Sequence, residues 1–271
     1  MEFNFKKKFG QNFLSDKNLL NAIVSDSGAN EQSQVLEIGP GAGALTQCLA
    51  ERTEKVVAVE IDEDLKPYLT TLCVNHENVQ VVYGDFMRMQ KQDIEKLFTK
   101  KYDVVANLPY YITTPIIFKL LEENYNINSL TLMVQKEVAE RFVATEKDSD
   151  YGAVSVMLQS QADLVITRVV PRTMFYPQPN VDSAVINIKL NPTKFDIPHR
   201  DIFAKVVKSA FAWRRKTLYN CLQMGMDLSK EQAEQVLQNC NLPSNIRGEK
   251  LSIQDFINIS NIISSRGFSI P

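Results

Sequence analysis

The residues best suited to chemistry stand at the ends of short apolar runs. "VLEIGPGAGALT" (35–46) carries Glu37, Gly39, Gly41 and Gly43. Glycines after an apolar run let backbone approach a ligand closely, and the helix start that follows offers unpaired N–H groups. The next run ends in Glu60, at the distance from the glycines where an acid accepts hydrogen bonds from both ribose hydroxyls. A third run ends in "YGDF" and places Asp85 where it can accept from an adenine amine, although an Asp there also suits the cap of the next helix. The glycines alone do not separate cofactors, because Gly39-Pro40-Gly41-Ala42-Gly43-Ala44 also satisfies the dinucleotide fingerprint. Glu37 shifts the balance. An acid just before the glycines repels a pyrophosphate but pairs with an ammonium group, such as the amino end of a methionine moiety. The set favours S-adenosylmethionine over NAD.

A fourth run, "VVANLPYYITTPI" (104–116), ends in Asn107-Leu108-Pro109-Tyr110. A loop built only to turn would use Gly, Asp or Ser. An exocyclic adenine amine is a poor nucleophile because its lone pair is delocalised into the ring. Acceptors for its hydrogens help localise that pair. The Asn107 side-chain oxygen and the Leu108 carbonyl can both serve. Pro109 fixes its own φ and restricts Leu108 to extended backbone, which aims the carbonyl. Tyr110 offers a flat face on which a base can stack, worth roughly 1–3 kcal/mol. Tyr111 has no derivable role beyond packing.

These positions require a scaffold of alternating strands and helices. Residues 34–38, 55–61, 79–85, 102–108 and 130–135 read as buried strands, with helical patterns near 43–53, 62–74, 88–99, 113–123 and 136–146. Such alternation predicts an α/β fold with a parallel, Rossmann-like sheet covered on both faces. Segments 162–170 and 181–190 are joined by a proline-rich loop, which predicts an antiparallel hairpin at the sheet edge. After residues 191–198 the strands stop. Helical periodicity over 202–211, a capping box at Ser229 and Gln232, and a helix start at Ser252 predict a small all-helical domain. The expected division is therefore 1–191 and 192–271. The first segment carries 19 Lys+Arg against 25 Asp+Glu and the second 11 against 7, so the two differ in sign.

Composition narrows the chemistry further. The four cysteines form no Cys-x-x-Cys pair, so neither a disulfide framework nor a zinc site is expected. With only His76 and His199 present, a metal centre or imidazole catalysis is not expected. No apolar stretch reaches the roughly 20 residues of a membrane helix. A soluble, cytoplasmic, monomeric protein is the expectation.

Taken in order, the motifs resemble those of the KsgA family of ribosomal RNA adenine dimethyltransferases over nearly the whole chain. "KKFGQNFL" (7–14), "EIGPGAGALT", "AVEID", "GDF", "NLPYYITTP", "FYPQPNVDSAV" (175–185), "FAWRRKTL" (211–218) and "IRGEKLSIQDF" (246–256) carry the likeness. The resemblance implies a class I methyltransferase with S-adenosylmethionine contacts at Asn12, Leu14, Gly39, Glu60, Asp85 and Asn107. It also implies dimethylation of two adjacent adenines in a hairpin loop near the 3′ end of 16S rRNA, on a late small-subunit assembly intermediate. A target base must leave its stack to be modified, and Phe175 is the candidate for a second aromatic face opposite Tyr110. Candidate phosphate contacts are Lys6, Lys7, Lys8, Arg168, Arg172, Arg214, Arg215 and Lys216. The nearest rival is the 23S rRNA methyltransferase family of macrolide resistance, which typically reads Asn-Ile-Pro-Tyr. A hydride-transferring dehydrogenase lacks an evident proton donor here. A non-catalytic RNA-binding assembly factor would not need Glu60, Asp85 and the Asn107–Tyr110 string.

Overall fold

The computed structural model of the chain describes residues 13–267. Lys6, Lys7, Lys8 and Asn12 lie outside the described residues. Nine strands form among the described residues: β1 (Phe13–Leu14), β2 (Gln34–Ile38), β3 (Lys55–Glu60), β4 (Val79–Tyr83), β5 (Tyr102–Asn107), β6 (Ile127–Gln135), β7 (Ala162–Val170), β8 (Phe175–Tyr176) and β9 (Ser183–Leu190). Seven of them form one sheet in the order β4-β3-β2-β5-β6-β9-β7. The run from β4 to β6 is parallel, and β9 pairs antiparallel with β6. Every residue of β2 is buried, as expected of a strand covered on both faces.

Helices α1 (Lys17–Asp26), α2 (Ala44–Ala50), α3 (Lys66–Asn75), α4 (Lys91–Glu95), α5 (Thr113–Glu122) and α6 (Lys136–Val143) alternate with these strands. From β2 the chain builds outward through β3 and β4, then returns to place β5 and β6 on the other side. The order therefore reverses between β2 and β5, and ligands bind outside the carboxyl ends of strands at such a switch. Gly39 and Asn107 stand at those two ends. Helix α1 and the β1–β8 pair are among the elements with no counterpart in the sequence reading. Helix α1 is capped by Asp16, whose Oδ1 accepts from the Leu19 N–H at 2.8 Å. Strands β1 and β8 pair antiparallel, with Leu14 opposite Phe175 and Phe13 opposite Tyr176.

The remaining helices are α7 (Ala153–Gln159), α8 (Arg200–Ala212), α9 (Leu218–Met226), α10 (Lys230–Asn239) and α11 (Ile253–Ser265). The capping box at Ser229 forms as expected, and Ser252 starts α11 as expected, with a capping box of its own. The division into units differs from the expected one. Residues up to Ala139 and Leu164–Leu190 form one unit, and Glu140–Asp163 joins the chain from Asn191 onward in the other. The reason is apolar burial. Tyr151 and Val156 belong to the core that holds Phe203, Val206, Leu251 and Phe256. The Tyr151 ring meets Phe211 edge-on at 5.8 Å, and its hydroxyl donates to the Leu251 carbonyl at 3.0 Å. Recounted on these units, the sheet unit has 17 Lys+Arg against 20 Asp+Glu and the helical unit 13 against 12. Most of the expected charge contrast disappears, because the inserted segment is acidic.

Candidate active site

The site is built from strand ends. Past β2 the backbone turns left-handed at Gly39 (φ 73°), whose N–H donates to the Val59 carbonyl at 2.9 Å. Gly41 (φ 60°) lies so close to Phe13 that a Cβ would sit 2.9 Å from its ring. A side chain there would be strained and would push the ring away.

Glu60, the last residue of β3, is 4% exposed. Its Oε2 accepts from the Gly41 N–H at 3.0 Å and its Oε1 from the Asp62 N–H at 2.7 Å. Burial raises its pKa, and these backbone N–H groups oppose the rise. Each oxygen still has acceptor capacity for a ligand hydroxyl. Glu37, in β2, is 1% exposed, and burial pushes its pKa up to about 8, with the Glu60 charge adding to the rise. Thr46 lies close enough to oppose that shift, yet neither its hydroxyl nor Glu37 Oε2 completes a hydrogen bond among the described residues.

The second wall comes from β5. Asn107 ends the strand opposite Met133, and the Leu108 N–H donates to the Met133 carbonyl at 3.3 Å. Pro109 Cδ comes to 4.0 Å from the position of a Gly39 Cβ, so the two strand-end loops face each other. Thr113 Oγ1 and the Ile112 N–H both donate to the Pro109 carbonyl, at 3.3 and 3.1 Å, which fixes the turn into α5. The Tyr110 hydroxyl shares a 2.7 Å hydrogen bond with Ser183 Oγ. Tyr111, next along, is 61% exposed.

A cavity of about 110 Å³ lies between these walls, and Leu14, Glu37, Gly39, Glu60, Asn107, Leu108, Pro109 and Tyr110 all line it. Positions singled out in the sequence thus converge on one space. Phe13 and Met133 line it as well. Neither carries a signal in the sequence, since both are apolar residues whose place depends on strand register.

Other candidates stand elsewhere. Asp85 follows β4 as expected, but its Oδ1 caps the turn at Met87 N–H (2.9 Å), its Oδ2 is 3.4 Å from Arg88 Nε, and it is not among the cavity's lining residues. Phe175 is 5% exposed and packs with Leu14, Leu20 and Val170 in the core, so here it anchors the loop rather than facing the cavity. Arg168 holds Asp26 with two hydrogen bonds, Nε to Oδ2 at 2.6 Å and Nη2 to Oδ1 at 2.7 Å. That pair depresses the Asp26 pKa and commits the guanidinium to joining β7 to the end of α1. Arg172 is exposed and donates to the Asn180 carbonyl at 3.2 Å. Arg214, Arg215 and Lys216 are exposed after α8.

The donor set fits S-adenosylmethionine. Glu60 can take ribose hydroxyls, the glycine turn admits close approach, and the orphaned Glu37 oxygen seeks a cation. Among the described residues no group of His, Cys, Asp and Glu could hold a metal ion, and no helix is long and apolar enough to cross a membrane.

Comparison with known proteins points the same way. Residues 2–265 match the family model described as ribosomal RNA adenine dimethylase. The ribosomal RNA small subunit methyltransferase A of Clostridioides difficile is 43% identical over 267 residues, covering 97% of this chain and 92% of that protein. Its namesake from Bacillus mycoides is 42% identical over 271 residues, covering 96% and 92%. Among solved structures, a dimethyladenosine transferase from Plasmodium falciparum superposes with a TM-score of 0.82 at 25% identity, covering 94% of this chain and 98% of that one. The 23S rRNA methyltransferase ErmE, at 24% identity and a TM-score of 0.72, covers 93% and 100% and shares the fold. The chain belongs to the ribosomal RNA adenine dimethylase family and is an S-adenosylmethionine-dependent rRNA adenine dimethyltransferase.

Proposed function

We propose that this enzyme dimethylates the exocyclic amines of two adjacent adenines in a hairpin loop near the 3′ end of 16S rRNA, acting as a cytoplasmic monomer on a late small-subunit assembly intermediate. The observation that carries this reading is the meeting of Asn107, Leu108 and Tyr110 with Glu37 and Glu60 around one cavity. The names of the full-length relatives favour the small subunit over the large-subunit alternative.

Bound there, S-adenosylmethionine supplies an electrophilic methyl group. Glu60 would accept hydrogen bonds from its ribose hydroxyls, and Glu37 would pair with its amino end. The Asn107 side-chain oxygen and the Leu108 carbonyl would accept hydrogen bonds from the adenine amine, turning its lone pair toward the methyl carbon; as the N–C bond forms the S–C bond breaks, the neutral thioether departs, and the amine releases a proton to solvent. Before the first transfer the amine has two hydrogens and uses both acceptors. Before the second it has one, and a single acceptor suffices. Tyr110 carries the base on its face.

Recognition of the RNA falls to the basic groups of both units. Arg172 lies beside the proline-rich loop. In the helical unit, Arg141, Arg214, Lys216 and Arg247 line a second cavity of about 260 Å³, with Asp150 and Glu249 also on its wall. Arginines gathered in a recess suit phosphate oxygens, and the two acids limit the net charge, which favours a shaped ribonucleoprotein surface over naked RNA.

The test is methyl transfer to unmethylated 30S subunits, followed by nucleoside analysis. Dimethyladenosine is expected with the native enzyme. Asn107→Ala is expected to abolish it while leaving the circular dichroism spectrum and melting temperature intact. Near-normal transfer by that variant would sink the acceptor model.

A further inference from the structure

We infer that Ser183 is a positioning residue for the reaction, holding the Tyr110 ring at the angle the target base requires. This rests on the reading of Tyr110 as the base platform.

Ser183 is far from Tyr110 in sequence. It opens β9, sits opposite Gln135 of β6, and is fully buried. Its hydroxyl meets the Tyr110 hydroxyl at 2.7 Å. A tyrosine ring turns about two side-chain torsions. Van der Waals packing restrains such torsions softly, whereas a hydrogen bond at the far end of the ring pins the plane. The residue before the anchor is itself held twice. The Lys136 N–H donates to the carbonyl of the preceding residue, Asp182, at 3.0 Å, and the Asp182 Oδ1 accepts from the Arg172 N–H at 2.9 Å. The Ser183 backbone therefore belongs to an interior strand of the sheet, between β6 and β7, and the catalytic loop is tied to that strand. A serine is suited to this place. Either hydroxyl can donate to the other, and the short side chain brings the bond close to the sheet.

The bond also fits the proposed chemistry in a way plain core packing would not. Tyr110 is only half buried and lines the cavity. Its face is the part a base would touch. Its hydroxyl, at the opposite end, is tied to the fold. The two ends of one side chain are divided between ligand and scaffold.

The test is a double-mutant cycle in the full-length enzyme, with 30S subunits as substrate. Tyr110→Phe keeps the ring face and deletes the hydroxyl, while Ser183→Ala deletes the partner. Each is expected to lower kcat/KM by about three- to tenfold, the range of one hydrogen bond. The double variant should lose no more than either single one, because both delete the same bond. Ser183→Thr should restore most of the activity, and the dissociation constant for S-adenosylmethionine should stay constant throughout. Losses that multiply in the double variant, or a Ser183→Ala enzyme with native kcat/KM, would overturn the inference. Tyr110→Ala separates this from the underlying reading. If that variant is inactive while the cycle is additive, only the role of Ser183 falls. If it transfers methyl groups normally, the base-platform reading falls with it.

Discussion

Two glutamates in the same cavity live very differently. Glu60 ends its strand where the chain turns, so two backbone N–H groups reach its oxygens at 3.0 and 2.7 Å. Glu37 lies one strand over and inside the strand, where backbone N–H groups are committed to the sheet, and its Oε2 meets no donor among the described residues. Burial raises the pKa of both, but only Glu60 has backbone bonds to hold its charge. A carboxylate at a strand end can be satisfied by the fold itself. One inside the strand waits for a ligand. The fold thus builds a permanent acceptor and a conditional one side by side.

The contrast breaks most severely at Glu60. Glu60→Ala removes the ribose acceptor and strands the Gly41 and Asp62 N–H groups. S-adenosylmethionine affinity should fall on the order of a hundredfold by calorimetry, from two charge-assisted hydrogen bonds lost. Turnover at saturating cofactor should suffer far less than with Asn107→Ala. An unchanged dissociation constant would put the ribose elsewhere.

Glu37 predicts a pH effect on the ligand-free protein. Its folded pKa, about 8, stands above the ordinary carboxylate value of 4.5. The folded form therefore holds a proton that the unfolded chain releases between those values. This contribution to stability is full below pH 4.5 and is lost as pH rises through 8. The melting temperature should fall by several degrees across that window, and Glu37→Gln should remove this part of the slope. If the native protein and the Glu37→Gln variant respond to pH alike, Glu37 is not the buried acid described. The same variant should also bind the cofactor about tenfold more weakly, having lost its charge.

The smallest expected effect sharpens the Glu60 side. Gly41→Ala keeps the N–H that Glu60 accepts, but strains the turn and displaces Phe13. A loss of about 1 kcal/mol in stability and a several-fold weaker cofactor affinity should follow. Native behaviour in both would show that the turn yields without disturbing the carboxylate.

What can be read in the sequence is whatever local chemistry decides. Gly39, Glu60 and Asn107 stand at strand ends, and strand ends follow from where apolar runs stop. Strand β2 and strand β7 span the residues expected of them. Residues whose roles depend on long-range pairing are illegible. Phe175 has both a base-stacking and a loop-anchor reading, and its register with Leu14 turns it into the core. Arg168 reads as a phosphate contact, but Asp26, from a distant helix, takes its guanidinium. Asp85 has both a cofactor and a capping reading, and in the structure its carboxylate caps. Helix α7 escapes the sequence because seven residues are too few for a periodic signal to outweigh the polar segment around it.

The helical unit is discontinuous, since Glu140–Asp163 is threaded into it ahead of the sheet's last strands. A protease that cut the 191–198 connection would therefore not free an intact helical body from an intact sheet. It would yield two polypeptides sharing one apolar core, with Tyr151 and Val156 on one chain and Phe203 and Phe256 on the other. The two should co-purify as a split protein until denaturant separates them. By the same logic, a gene truncated at residue 191 would encode not a smaller enzyme but one with an uncovered core.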